Sequence, residues 1–189
     1  MDWILASASP RRKQLFSEIK DRFEIIPAKG EENTSLALPP KELAIQLAKA
    51  KAEEIARLPK AKDRGVLGAD TIVVLDGEVL GKPKDEQDAW RMLTALSGKT
   101  HFVYTGVCLS VPNLGERKLF TGVSETAVEF ESLTKAQIEK YIATGSPMDK
   151  AGAYGIQDGG LVKAIKGSFT GVVGLPVELC KTLIQEAEV

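Results

Sequence analysis

The chain of 189 residues is 43% hydrophobic and 27% charged, which is typical of one soluble globular domain spanning residues 1–189. Its formal net charge of −1 provides no overall basic field, which argues against binding to a nucleic-acid polymer. No apolar run is long enough for a membrane span, and two widely separated cysteines without a leader-like start indicate a reduced, cytoplasmic setting. His101 is the only histidine, so His-rich metal sites are excluded.

The N-terminal residues predict a short strand at 3–6 that leads into a helix. Ser9 is a suitable N-cap and Pro10 a suitable first helical residue, and Arg11 and Arg12 follow directly. Outward-pointing amides, the helix dipole and two guanidinium groups together suit a phosphate. A capped helix with two solvent-exposed arginines is the alternative that the local pattern leaves open.

The next part of the chain predicts a strand at residues 23–26, a loop with the paired acids Glu31 and Glu32, and a helix that starts at Pro39-Pro40 and runs to about Leu58. Paired acidic residues in a loop are usually solvated, although their carboxylate oxygens are also ligands that Mg²⁺ accepts. Lys51 lies near the middle of the apolar stripe of the helix, where an apolar residue would also fit. It either extends to solvent or needs an anionic partner.

The central stretch, residues 66–75, predicts a buried strand because it is rich in β-branched and aliphatic residues. Asp76-Gly77 then predicts a hairpin turn into a strand at 78–80, and Lys82 follows near the same place. Asp70 is the anomaly, because a carboxylate among apolar neighbours is costly to bury without a partner. It is either a residue that reaches solvent or caps a loop, or a general base or metal ligand at a cleft.

The C-terminal half continues the alternation of elements, which favours one α/β unit. Helices are predicted at about 85–97, after the capping-box pattern that starts at Thr134, and at 176–188. Strands are predicted at 102–111, 118–130 and 161–165, with residues 112–115 joining the first two. Residues 145–174 are dense in glycine and contain Gln157, and such a segment allows the backbone to approach a ligand closely. An irregular connection is the alternative.

Together these residues provide the groups that hydrolysis of a nucleoside triphosphate requires. Such a site needs cations for the phosphates, carboxylates for a divalent metal, and a carboxylate that orients or deprotonates water. The Gly-x-x-x-x-Gly-Lys-Ser/Thr loop does not occur, so P-loop chemistry is excluded.

Several longer motifs occur in one order along nearly the whole chain. They are Ala6-Ser7-Ala8-Ser9-Pro10-Arg11-Arg12, Glu31-Glu32, Gly68-Ala69-Asp70-Thr71, Gly81-Lys82-Pro83, Pro147-Met148-Asp149-Lys150-Ala151-Gly152-Ala153-Tyr154-Gly155-Ile156-Gln157 and Val172-Val173-Gly174-Leu175-Pro176. On these motifs the chain resembles the Maf family of nucleotide pyrophosphatases.

The resemblance implies a two-lobed mixed sheet flanked by helices with a central cleft, related to inosine triphosphate pyrophosphatases (the Maf/Ham fold). It also implies cleavage of nucleoside triphosphates to the monophosphate and pyrophosphate with a divalent cation, Mg²⁺ or Mn²⁺, in nucleotide-pool control or house-cleaning. By resemblance Asp70 is the proton acceptor and a metal ligand with Glu32. The substrate-binding residues that it implies are Arg11, Arg12, Lys51, Thr71, Lys82 and Gln157.

One branch of the family resembles this chain in residues 149–157 and acts on dTTP and UTP. The side-chain amide of Gln157 can match the imide edge of uracil or thymine, because it offers both a donor and an acceptor. Gly171 departs from the family pattern, since many relatives carry a polar residue such as Asn there. If that side chain touches substrate, affinity could differ in this chain.

Three questions stay open at this point. A nucleotide-sensing regulator that binds a division or DNA-maintenance protein is the alternative to an enzyme. The oligomeric state is undecided, with a homodimer as one alternative, and the physiological triphosphate is not fixed by the sequence.

Overall fold

A computed structural model describes residues 1–30 and 37–188, and in these ranges seven strands form one mixed sheet. The strand order is β2-β1-β3-β5-β6-β7, with β4 beside β3. The strands are β1 (Trp3–Leu5), β2 (Phe23–Ile25), β3 (Gly65–Leu75), β4 (Glu78–Leu80), β5 (Thr100–Asn113), β6 (Glu116–Phe130) and β7 (Val162–Lys166). The helices are α1 (Pro10–Ser17), α2 (Pro40–Ala56), α3 (Glu86–Leu96), α4 (Lys135–Ala143), α5 (Phe169–Val173) and α6 (Val177–Ala187).

Strand β3 is the centre of the sheet, and its two edges differ. One edge pairs antiparallel with β5 from Val66 to Val74. The other edge pairs with β1 in parallel at residues 65–67 and with β4 antiparallel at residues 73–75. Within the described ranges, residues 68–72 have no strand partner on that second edge. The sheet therefore has a gap between β1 and β4, and Asp70 lies at its middle.

Successive side chains of β3 point to opposite faces of the sheet. Leu67 and Ala69 belong to a hydrophobic cluster with α1 and α6, whereas Val73 and Leu75 belong to another with α3 and α4. Thr71 points to the same face of β3 as these four residues and lies between the two clusters. The opposite face packs against α2, and Asp70 points to that side with Ile72 and Val74. The gap thus gives access to both faces of one strand.

Two glycines let α2 approach the sheet closely. A Cβ atom at Gly106 of β5 would lie 2.1 Å from the backbone oxygen of Ala44, and one at Gly68 of β3 would lie 2.4 Å from that of Ala48. Neither distance is compatible with a side chain, so these positions require glycine for steric reasons. The helix backbone rests directly on strands β3 and β5.

Local sequence signals predict several boundaries correctly. Ser9 caps α1 and accepts a hydrogen bond from the Arg12 amide, and Thr134 and Gln137 form the predicted capping box of α4. Asp76 and Gly77 both have positive φ, as a tight hairpin requires.

The predicted connection at residues 112–115 is too long. Strands β5 and β6 extend to Asn113 and from Glu116, so that only Leu114 and Gly115 form the turn. The short helix α5 was not predicted from the sequence. Among the described residues, no helix combines the length and the apolar composition that a membrane crossing requires.

Candidate active site

A cleft of about 680 Å³ opens at the gap in the sheet, and its lining comes from both halves of the chain. The predicted substrate-binding residues all line it, together with the predicted base: Arg11, Arg12, Lys51, Asp70, Thr71, Lys82 and Gln157. Glu31 and Glu32 lie outside the described residues. Except for Glu32, the predicted site residues are therefore brought to one cavity from separate elements.

Asp70 and Lys51 form an ion pair at the floor of the cleft. Asp70 is 4% exposed, and the ammonium group of Lys51 donates to its Oδ1 atom. The Lys51 side chain comes from α2 and is only 15% exposed, so it does not extend to solvent. A charge in the interior needs a close partner of opposite sign, and this pair supplies one for each group.

Arg12 is held in a fixed orientation by hydrogen bonds from its planar guanidinium group. Nε donates to the backbone oxygen of Gly174 at 2.8 Å, and one terminal nitrogen donates to Thr71 Oγ1 at 3.2 Å. The other terminal nitrogen lies 3.4 Å from Ser7 Oγ. Arg12 thus connects α1, β3 and the end of α5, and its charge faces the cleft.

Arg11 lies at the mouth of the cleft, where it reaches across to the opposite wall. It donates to Asp149 at 3.4 Å, and Lys150 donates to the other oxygen of that carboxylate at 2.7 Å. Burial raises the pKa of Asp149, but the bond and the charge of Lys150, with the charge of Arg11, outweigh it and the pKa is lowered. Asp149 is 67% exposed, so the link across the mouth is solvent-accessible and weak.

A polar cluster supports the segment that carries Gln157. The Asp158 carboxylate accepts hydrogen bonds of 2.6 Å from both Tyr141 and Ser146, and these bonds lower its pKa although burial alone would raise it. The Tyr141 hydroxyl also accepts from the Gly155 amide at 2.9 Å. The segment is thereby tied to the end of α4, and exposed Gln157 is presented to the cleft.

The same segment is anchored in the core through Tyr154. His101 Nε2 lies 2.7 Å from the Tyr154 hydroxyl, and both rings pack edge-on against Phe130. Burial lowers the pKa of His101 to about 4, so the imidazole is neutral near pH 7. Ala153, with φ of 61°, is held in a left-handed conformation between these anchors.

Sequence reasoning missed one buried residue that contacts the site. Thr105 lies directly opposite Thr71 in the β3–β5 register, and its hydroxyl is 2.9 Å from that of Thr71. Thr105 also donates to the Gly171 backbone oxygen at 2.7 Å. A threonine within an apolar strand was a visible signal, but only the register reveals its partner.

Metal donors in the described part of the chain are few. No group of three or more His, Cys, Asp or Glu side chains there could hold an ion. Asp149 and Asp158, which also line the cleft, are already bound by protein donors. Asp70 likewise accepts from Lys51, but Mg²⁺ often uses only one or two carboxylates and the substrate phosphates, so Asp70 with the phosphates fits such an ion.

The family model for Maf-like proteins matches residues 2–187. The chain belongs to the Maf-like family. A dTTP/UTP pyrophosphatase from Agathobacter rectalis is 45% identical over 188 residues, which cover 92% of this chain and 91% of the relative. A protein of the same name from Thermococcus kodakarensis is 48% identical over 179 residues, covering 93% of this chain and 92% of the relative.

Two solved structures share the fold of this Maf-like chain. A HAM1 protein from Coxiella burnetii aligns with a TM-score of 0.58 and 15% identity over 98% of this chain and 99% of its own. The Staphylococcus aureus Ham1 protein gives a TM-score of 0.51 and 17% identity over 99% and 100% of the two chains. The predicted mixed α/β fold of the Ham type is confirmed.

Gly171, the departure of this Maf-like chain from the family pattern, does not line the cleft. A Cβ atom there would lie 2.8 Å from Ser124 Oγ and 3.2 Å from Ser168 Cβ. A larger residue would therefore point at these serines first and would have to displace the Ser124 hydroxyl.

Proposed function

We propose that this chain hydrolyses nucleoside triphosphates, preferentially dTTP and UTP, to the nucleoside monophosphate and pyrophosphate. The observation that carries the proposal is the buried Lys51–Asp70 pair on the floor of a cleft whose other charged side chains include Arg11, Arg12 and Lys82. Relatives named dTTP/UTP pyrophosphatase support the same substrate class.

The cationic lining suits a triphosphate. Guanidinium groups bind phosphate oxygens in a bidentate manner, and ammonium groups add point charges on a flexible stem. Arg12 is oriented before substrate arrives, because the carbonyl of Gly174 and the hydroxyl of Thr71 already hold it. Such preorganisation lowers the cost of placing the α–β phosphoanhydride bond for attack.

Asp70 is the proposed water-activating base. As the water oxygen bonds to phosphorus, its proton passes to the Asp70 carboxylate, the α–β phosphoanhydride bond breaks, and pyrophosphate leaves. Lys51 holds the carboxylate in place and adds positive charge where the phosphates gather negative charge.

We propose a divalent cation, Mg²⁺ or Mn²⁺, as the cofactor. In the described part of the chain Asp70 is the residue that would hold it, and Glu32 is the further ligand that the resemblance implies. When bound, the cation neutralises phosphate charge and polarises the phosphoryl oxygens.

Base selection is assigned to Gln157 and Thr71, which both line the cleft. The amide of Gln157 can donate to a carbonyl oxygen of the imide edge of uracil or thymine, next to the N3–H that an acceptor in the cleft can bind. Leaving such an amide mismatched against the wrong base costs about 1–3 kcal/mol, which is roughly one to two decades in kcat/KM.

A panel of common and modified triphosphates, assayed for pyrophosphate release with Mg²⁺ or Mn²⁺, tests the proposal. We expect dTTP and UTP to give the highest kcat/KM of the common nucleotides. Asp70→Asn should lower kcat by about 10²–10⁴-fold, because Asn cannot accept the proton. Asp63→Asn, at an exposed position, is the matched control and should retain activity.

Two outcomes would contradict the proposal. Binding of triphosphates without turnover would favour a nucleotide sensor. An Asp70→Asn variant with more than about a tenth of the wild-type kcat would remove this residue from the role of base.

A further inference from the structure

A line of hydrogen bonds runs from the core of the sheet to the cleft. Thr105 of β5 is 1% exposed, and its Oγ1 atom lies 2.7 Å from the backbone oxygen of Gly171 and 2.9 Å from Thr71 Oγ1. Thr71 in turn lies 3.2 Å from a terminal nitrogen of Arg12. Thr71 lines the cleft, whereas Thr105 and Gly171 do not.

The direction of every bond in this line follows from chemistry. The carbonyl of Gly171 can only accept, so it takes the single hydroxyl hydrogen of Thr105. Thr105 must then accept from Thr71, which uses the only hydroxyl hydrogen of Thr71. At the other end Arg12 can only donate, and the Thr71 oxygen accepts from it. The Gly171 carbonyl and the Arg12 guanidinium therefore lead to the same arrangement, in which the Thr71 hydroxyl donates to Thr105 and accepts from Arg12.

We propose that Thr105 is a positioning residue that turns the hydroxyl hydrogen of Thr71 away from the cleft, so that Thr71 meets its substrate group only as an acceptor. This inference rests on the proposed function and narrows its substrate class. A hydroxyl oxygen has two lone pairs, and Arg12 uses one of them. The group that meets the other must be a donor.

This polarity distinguishes the nucleobases. Uracil and thymine carry a hydrogen on N3, whereas N3 of cytosine is an acceptor. A phosphate oxygen is also an acceptor, so the second lone pair of Thr71 suits the imide edge of the base and not the phosphates. Rejection of cytosine then arises from a buried residue that does not touch the nucleotide, because two acceptors placed against each other leave both unsatisfied.

Thr126 provides a matched control. It is also a threonine in a central part of the sheet with 1% exposure, and it also donates to a backbone oxygen near α5, that of Ser168, at 3.3 Å. In the described part of the chain no hydrogen bond joins its side chain to Thr71 or Arg12. Thr126→Val therefore removes a similar buried hydroxyl without altering the polarity of Thr71.

The experiment compares UTP with CTP in the wild type, Thr105→Val, Thr105→Ser and Thr126→Val. Both kcat/KM and the dissociation constants are measured, and melting temperatures report the fold. Thr105→Val frees the Thr71 hydrogen, so we expect the UTP-to-CTP preference to fall by about 10-fold in both quantities. Thr105→Ser, which keeps the hydroxyl, and Thr126→Val should stay within about twofold of wild type.

A second arm needs no variant. Wild-type protein should bind N3-methyl-UTP at least about 10-fold more weakly than 5-methyl-UTP, because only the first lacks the N3 hydrogen. Equal binding of these two analogues would overturn the inference, as would an unchanged UTP-to-CTP ratio in Thr105→Val or an equal change in Thr126→Val. The proposed function is judged separately by pyrophosphate release, and its failure would leave the binding ratios as the test of polarity.

Discussion

Acidification should destabilise this fold through one imidazole. His101 is 1% exposed, donates to or accepts from Tyr154 at 2.7 Å through Nε2, and packs against Phe130. In the described residues its Nδ1 atom has no hydrogen-bond partner. A second proton would therefore place an uncompensated charge in the core, which explains why burial lowers the pKa to about 4.

The size and sign of this pH effect on stability follow from the difference between the pKa of His101 in the folded and the unfolded chain. The pKa falls from 6.5 to about 4, and each unit corresponds to about 1.4 kcal/mol, so His101 accounts for about 3 kcal/mol of the free energy of unfolding. The unfolded chain binds the proton more readily than the folded chain. The contribution is complete above a pH of about 6.5, and it is lost as the pH falls to about 4.

Urea unfolding of wild type and His101→Gln across this range measures the effect. Gln can keep a partner for Tyr154 but does not titrate, so its curve should be flatter by about 3 kcal/mol between pH 6.5 and 4. Carboxylates with lowered pKa values, such as Asp149 and Asp158, destabilise both proteins equally on acidification and cancel in the difference. Because His101 is the only histidine, parallel curves would refute the reasoning.

Three further substitutions test the site. Lys51→Met should lower the free energy of unfolding by about 3–5 kcal/mol in denaturant titrations, because it removes the cation beside a buried carboxylate. Lys49→Met on the same helix is the control and should change the free energy of unfolding by less than about 1 kcal/mol. Gln157→Glu should lower the UTP-to-CTP ratio of kcat/KM by about 10-fold while hydrolysis continues, and an unchanged ratio would remove Gln157 from base selection. Gly171→Asn should lower the melting temperature with little change in KM for UTP, because its side chain would meet Ser124 before the cleft; a large rise in KM with an unchanged melting temperature would contradict this.

The parts of the molecule that local chemistry determines were predictable from the sequence. The cap at Ser9, the capping box at Thr134 and the hairpin at Asp76 each depend on a few adjacent residues, and all three are confirmed. Asp70 was identifiable because a carboxylate in an apolar strand demands an explanation. The family resemblance then named six further residues that line the cleft.

The sequence alone could not show which residues far apart in the chain contact each other. The apolar stripe of α2 suggested that an apolar residue would fit at Lys51, and only the packing of α2 on β3 reveals Asp70 as its partner. Thr105 was overlooked because the β3–β5 register joins residues more than 30 positions apart. A single sequence does not define that register.

The close contact of α2 with the sheet has a consequence for how this enzyme family can vary. Gly68 and Gly106 set the height of α2 above β3 and β5, and the same helix carries Lys51. A methyl group at either position would lift the helix and with it the ammonium group that meets Asp70. Substitutions at these glycines would therefore disturb the Lys51–Asp70 pair as well as the packing of α2, although neither glycine has a side chain that could touch a nucleotide. Because glycine has no Cβ atom, these two positions allow the close contact between α2 and the sheet that brings Lys51 to Asp70.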